Sequence, residues 1–245
     1  MIGRVALLVT FKKVKPKPQS LSRSHIRDLP TISLMSKDWY RKKSWTNSDE
    51  QDFNARLKRA RKDNQAQYLK IQATEFLETK KPKLLDVAEQ LLNQYFEEHP
   101  DDTFNRSSAL HVLGKIYEHR KEFESAINYF KKAVDFELEH PNYKTQADLD
   151  FSDLVVKLEK SEHFELVEQL MNERLESSLF PIEKYRGYSI MAIISKTRGD
   201  QANFERFKEL AEENANQETS GLRYHQDLGT VKKRDSWLDK LLTKK

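Results

Sequence analysis

SSALHVLGKIYEHRKEFESAINYFKKAVDFELEH, residues 107–140, is the stretch on which the fold turns. Leu110, Leu113, Gly114 and Tyr117 recur at the spacing that places side chains on one face of a helix. A polar turn, His119-Arg120-Lys121-Glu122, follows, and then Ala126, Phe130 and Ala133 resume the helical spacing. Two amphipathic helices joined by a polar turn predict a helix hairpin. The residue sizes support it: Gly114 and Ala126 let two helices approach closely, and Tyr117 and Phe130 fill the groove beside them.

The same pattern continues on both sides. Pro100, Pro141 and Pro181 fall at nearly equal spacing, and proline cannot continue a helix. Between successive prolines lie two helical stretches with a polar turn, the second being Lys160-Ser161-Glu162-His163. After Pro181 comes one more pair, turning at Arg198-Gly199-Asp200. Upstream, Tyr68, Leu69, Gln72, Ala73, Phe76 and Leu77 predict a helix that ends at Lys80-Lys81-Pro82. Leu84, Leu85, Ala88, Leu91, Leu92, Tyr95 and Phe96 predict another that ends at His99-Pro100. Ser48-x-x-Gln51 reads as a capping box ahead of Phe53, Leu57 and Ala60. A recurring helix hairpin of 36 to 41 residues predicts an all-α solenoid, because one hairpin cannot cover its own apolar stripe and depends on its neighbour.

Counted from Ser107 as position one, Leu110, Leu113, Gly114, Tyr117, Ala126, Phe130 and Ala133 stand at positions 4, 7, 8, 11, 20, 24 and 27. This spacing resembles the tetratricopeptide repeat, and the resemblance runs over residues 64–216. The family's final proline is displaced: position 32 is Leu138, and Pro141 follows. The unit after Pro181 matches at Tyr188, Met191, Ala192 and Gly199, but Phe204 replaces the small residue. Phe151, Ser152, Val155 and Val167 match in the unit before it if its turn is lengthened. Leu69, Ala73, Phe76, Ala88, Leu92 and Pro100 match in the first unit with a similar insertion. A HEAT-like array, with a period nearer 40, is the rival for these spacings. Trp39-Tyr40-Arg41, Trp45 and Asp49-Glu50, with Ser220-Gly221-Leu222-Arg223-Tyr224-His225 near the other end, resemble the opening and closure of uncharacterised bacterial proteins of this type.

The resemblance implies a right-handed α-α superhelix of about four helix hairpins with flanking helices. Its inner wall, made by the first helix of each pair, would hold a peptide or helix of a partner protein. Carried over position by position, that wall contains Lys70, His111, Lys115, Asp150, Asp153, Arg186 and Lys196. The family's chaperone-tail clamp uses Lys and Asn at positions 5 and 9. Here those positions are His111 and Lys115, so that clamp is not implied. A wall basic near both ends with two Asp between suggests a ligand carrying both charge signs.

Composition bounds the alternatives. The chain has 245 residues, no cysteine, 6 Gly and 7 Pro, which excludes disulfides and thiolate chemistry and disfavours a many-turned β-sandwich. Mean hydropathy is -0.83, too wet for a membrane-spanning helix. The net charge of +4 is asymmetric: residues 1–64 hold 16 Lys/Arg against 6 Asp/Glu, and the remainder holds 27 against 33. A basic arm on an acidic body suggests a second function class, a nucleic-acid-associated adaptor using Arg41, Lys42, Lys43, Arg56, Lys58, Arg59 and Arg61. Trp39, Tyr40 and Trp45 could then stack bases; the alternative is an aromatic cap on the open end of the solenoid.

Residues 1–34 form a basic segment expected to be disordered, and Met35-Ser36-Lys37 reads like a natural start of translation. The chain is expected to be cytoplasmic; the competing reading takes residues 1–34 as a mitochondrial presequence, which would make it mitochondrial. Residues 35–63 are expected to form the aromatic and basic opening, and residues 217–245 a loop and a short capping helix bearing Trp237, Leu238, Leu241 and Leu242.

Catalytic chemistry is poorly represented. The glycines form neither a dinucleotide fingerprint nor a P-loop. His111 and His119 are eight residues apart, about 12 Å along a helix, too far to share a metal. Asp148, Asp150, Ser152 and Glu159 mimic an EF-hand spacing, but Asp153 stands where that loop needs glycine, and Leu154, Val155 and Leu158 continue a helical stripe. The sequence therefore points to a non-enzymatic protein-binding scaffold without cofactor or metal. A self-assembling structural subunit is the third class.

Overall fold

The computed structural model describes residues 38–243, which contain ten α-helices, one short 3-10 turn and no strand. The basic segment 1–34, the start at Met35 and the closing Lys244-Lys245 lie outside the described residues. In chain order the helices are α1 (Asn47–Leu57), α2 (Lys62–Thr79), α3 (Pro82–Glu98), α4 (Arg106–His119) and α5 (Phe123–Glu139). Then follow α6 (Ala147–Lys157), α7 (Phe164–Ser177), α8 (Pro181–Thr197), α9 (Gln201–Ala215) and α10 (Ser236–Thr243). The all-α expectation holds for the described chain.

Helix starts follow local chemistry. The capping box of α1 is Thr46 with Asp49, not Ser48 with Gln51: the Thr46 hydroxyl accepts from the Asp49 amide at 3.2 Å, and the Asp49 carboxylate accepts from the Thr46 amide at 2.9 Å. The shift has a packing cause. Trp45 is held against Phe53 and Phe76, at 5.4 and 5.1 Å between ring centroids, so the chain turns into the helix directly after it. Pro82 and Pro181 sit in the first turns of α3 and α8, where a missing amide hydrogen costs nothing.

The helices pack as α2 with α3, α4 with α5, α6 with α7 and α8 with α9. Each second helix also touches the first helix of the next pair: α3 meets α4, α5 meets α6, and α7 meets α8. First helices touch as well, α2 with α4 and α6 with α8. The lengthened turn expected in the third pair is present as a 3-10 turn, Ser161–His163. The insertion expected in the first pair is absent from its turn, because α2 runs to Thr79 and α3 begins at Pro82.

A backbone period accompanies the pairing. Every pair turns through one left-handed residue: Lys80 (φ 56°), Lys121 (φ 64°), Glu159 (φ 56°) and Gly199 (φ 77°), spaced 41, 38 and 40 residues apart. Behind the last three lies the same closing bond at 2.9 Å: the amide of Glu122 to the carbonyl of Tyr117, Lys160 to Val155, and Asp200 to Ser195. This is a Schellman closure, which satisfies a helix's last carbonyls by forcing one residue into the left-handed region. Glycine enters that region freely; Lys and Glu do so against a steric cost.

The apolar interior comprises two clusters, one from α1 to α4 and one from α4 to α10, with Phe96, Tyr117 and Tyr129 packed against both. They meet at the α4–α5 pair. Phe130 is fully buried there, and its ring lies so close over Gly114 that any Cβ at that position would overlap it. Buried polar groups tie the opposite ends of the pairs. Arg174 donates to both Asp148 oxygens, at 2.8 and 2.6 Å, and to the Thr145 carbonyl at 3.0 Å, while Ser178 donates to Glu183 at 2.7 Å.

The ends are covered in two ways. Trp39 packs on Phe53 and Tyr68, and Tyr40 stacks on Tyr68 at 4.4 Å. The Gln72 side chain pins this segment by two hydrogen bonds to the Lys42 backbone, at 2.9 and 2.8 Å. At the other end α10 lies on α8, with Leu238 and Leu242 buried. Its docking is fixed by Tyr185 donating to Asp239 at 3.0 Å and Lys196 donating to the Leu241 carbonyl at 3.0 Å. Phe130→Ala is expected to lower the unfolding free energy by about 3–5 kcal/mol and Gly114→Ala by about 1–3 kcal/mol, measured by urea denaturation. Wild-type stability in both variants would contradict this packing.

Candidate functional site

His111 and Lys115 are one turn apart on α4, and Asp150, Asp153 and Lys157 succeed one another at helical spacing on α6. Each set therefore shares a face, and the two faces meet. His111 Nε2 lies 2.8 Å from Asp150 Oδ2, and Lys115 Nζ lies 3.5 Å from the same oxygen. From α8, Arg186 Nη2 donates to Asp150 Oδ1 at 2.8 Å, and the guanidinium also pairs with Asp153, its Nε at 3.1 Å. Five of the seven residues expected on the inner wall thus form one continuous band across α4, α6 and α8.

The band's electrostatics follow from burial and pairing. Burial works against charge on Asp150, yet the His111 hydrogen bond with Lys115 and Arg186 holds its carboxyl well below the ordinary range. Burial likewise opposes the charge of Arg186, and Asp153 and Asp150 more than restore it. Lys115 behaves the same way toward Asp150 and Glu118. Asp153 differs. Burial dominates, its Oδ1 has no hydrogen-bond partner, and its carboxyl is pushed up from 3.8 to about 6 despite Arg186. These charges face one another, so the ligand of both charge signs expected from the sequence loses its support: the mixed wall is largely neutralised from within.

The other expected residues lie elsewhere. Lys70, on α2, is half-buried, and burial and then Arg41 lower its pKa; it forms no ion pair among the described residues. Lys196 reaches α10 and stands 5.2 Å from the Phe204 ring centroid. Of the basic residues suggested for nucleic acid, Arg41 pairs with Glu75, Lys43 with Glu75 and Glu78, Lys42 with Asp49, and Arg56 with Asp52. Lys58, Arg59 and Arg61 have no carboxylate partner among the described residues, and Arg59 donates to the Ala55 carbonyl.

Beside the band a cavity of about 540 Å³ opens at the ends of α2, α4 and α6. Leu77 and Glu78 line it from the end of α2 and Lys80 from the turn after it, Lys115, Glu118 and His119 from the end of α4, Lys121 from the turn after that, Phe123 from the start of α5, and Lys157 from the end of α6. Its volume falls within the range of about 300–1,000 Å³ usual for ligand pockets. The chain matches no family model, no curated protein and no solved structure. The site is therefore read from its own geometry.

Two of its carboxylates are already answered: Glu78 by Lys43 at 2.7 Å and Glu118 by Lys115 at 2.6 Å. Lys157 stands over two rings, 5.6 Å from the Phe123 centroid and 5.5 Å from that of Trp237 on α10. Sequence reasoning missed Lys80, His119, Lys121, Phe123 and Lys157 as a group, because it carried over family positions and not turn geometry. The left-handed turn residues that place them carry no sequence signature at Lys80 and Lys121. Among the described residues no group of His, Asp and Glu is arranged to hold a metal ion, and α6 holds Asp148, Asp150 and Ser152 of the EF-hand-like spacing in helix, with Glu159 in the turn beyond it. No described helix is long and apolar enough to cross a membrane.

The raised carboxyl of Asp153 has a pH consequence with a definite sign. Between its ordinary value of 3.8 and about 6, the folded chain binds a proton that the unfolded chain has released. Stability from this group is therefore lost as pH rises through about 6. Relative to Asp153→Asn, the melting temperature of the wild type is expected to fall as pH is raised from 4 to 7, by thermal melts across that range. Parallel curves would refute the assignment.

Proposed function

We propose that the chain is a non-enzymatic protein-interaction module, a right-handed tetratricopeptide-like superhelix whose first helices hold a peptide or helix of a partner protein. The observation that carries this reading is the recess left where α2, α4 and α6 end side by side, next to a band of paired charges that fixes α4, α6 and α8. The period of the turn residues and the pattern in which α3, α5 and α7 each pack on two first helices support the repeat assignment.

A nucleic-acid role for the opening segment is the weaker reading. Arg41, Lys42, Lys43 and Arg56 are neutralised by carboxylates of the same chain, and Trp39, Tyr40 and Trp45 pack on α1 and α2 and are thereby drawn away from base stacking.

Site-specific photo-crosslinkers separate the faces. Placed in the full chain at Glu78 or His119, in the native source, they are expected to capture a defined protein partner. At Lys132 or Asp135, exposed on α5 and outside the lining of the cavity, they are expected to capture none. Capture only from the α5 positions, or recovery of nucleic acid in place of protein, would overturn the proposal.

A further inference from the structure

The cavity at the ends of α2, α4 and α6 holds two side chains in a backbone conformation that disfavours them. Lys80 and Lys121 both line it, and both have left-handed φ values of 56° and 64°. The corresponding turn residue between α8 and α9 is Gly199, around which there is open space. A glycine satisfies the same turn without the clash between Cβ and carbonyl that lysine suffers. Glu159, the remaining non-glycine turn residue, is not part of the lining. At both positions lysine bears a steric cost that glycine would avoid, and both lysines line the cavity.

Charge points the same way. The carboxylates of the lining are paired, Glu78 with Lys43 and Glu118 with Lys115. Lys80, Lys121 and Lys157 have no carboxylate partner among the described residues and line one recess together, the Lys157 ammonium standing over the Phe123 and Trp237 rings. Leu77 and Phe123 supply apolar surface between them. We propose that this cavity binds an acidic peptide segment of a partner protein, with an apolar side chain against Leu77 and Phe123 and flanking carboxylates on Lys80, Lys121 and Lys157. The proposal rests on the interaction-module reading and gives its partner a chemistry. A peptide fits better than a phosphate backbone, because Leu77 and Phe123 give the lining apolar surface that a peptide side chain can cover.

The test uses the full chain and fluorescence anisotropy with a fluorescein-labelled glutamate-rich peptide bearing a central leucine. A glutamine-for-glutamate version and a single-stranded oligonucleotide serve as competitors. The acidic peptide is expected to bind, to weaken as salt rises, and to outcompete both. The double variant Lys80→Gly, Lys121→Gly is expected to bind about tenfold more weakly while unfolding at an equal or higher urea concentration. A loss of fold cannot produce that combination. Should the glycines loosen the turns, Lys80→Asn with Lys121→Asn supplies the same readout, since asparagine also tolerates the left-handed region. Undiminished binding in these variants, equal binding of the glutamine peptide, displacement by the oligonucleotide, or no binding of the acidic peptide would each overturn the proposal. Partner crosslinks at His119 that persist in the double variant would leave the interaction module standing and remove this site alone.

Discussion

The close approach of α4 and α5 at Gly114 and Phe130 is the constraint on which the rest of the chain depends. Two apolar clusters meet at this pair, and Tyr117 and Tyr129, stacked at 5.1 Å, belong to the margin of both. With a Cβ at position 114 the Phe130 ring could not lie this close to α4, and the two clusters would lose their common wall. Close packing of this kind leaves little slack, so its geometry propagates to the neighbouring pairs.

A second constraint is electrostatic. Buried ion pairs contribute little net stability, since desolvation offsets attraction, but an unmatched partner is strongly unfavourable. The Asp150 carboxylate answers groups from α4 and α8 at once, and Arg174 of α7 answers Asp148 of α6. Such groups select one arrangement of helices over near alternatives. In this fold they also neutralise the charges of α4, α6 and α8 among themselves, and the cationic recess at the turns is what stands open beside them.

The sequence made the helices, their pairing and the turn positions legible because apolar spacing reports directly on buried faces. The lengthened third turn and the docking helix with Leu238 and Leu242 were legible for the same reason. The capping box was placed two residues late, since the pattern at Ser48 and Gln51 looks equivalent until Trp45 is seen wedged between Phe53 and Phe76. Five of the seven residues expected on an inner wall are brought together, but their mutual pairing was not legible. Whether a charge faces solvent or another helix depends on distances across some 40 residues of chain, and no local pattern encodes them. The lysine-lined recess was hidden by a related difficulty: it is built from left-handed turn residues, and Lys80 and Lys121 carry no glycine signature of that conformation.

Hydrogen exchange followed by mass spectrometry on the full chain tests most directly whether the α4–α5 contact joins the helix pairs into one body. Amides of α4 and α5 are expected to exchange slowest, with protection declining outward toward α1 and α10. Exchange in α4 and α5 as fast as at the ends, with the flanking pairs still protected on either side, would contradict it.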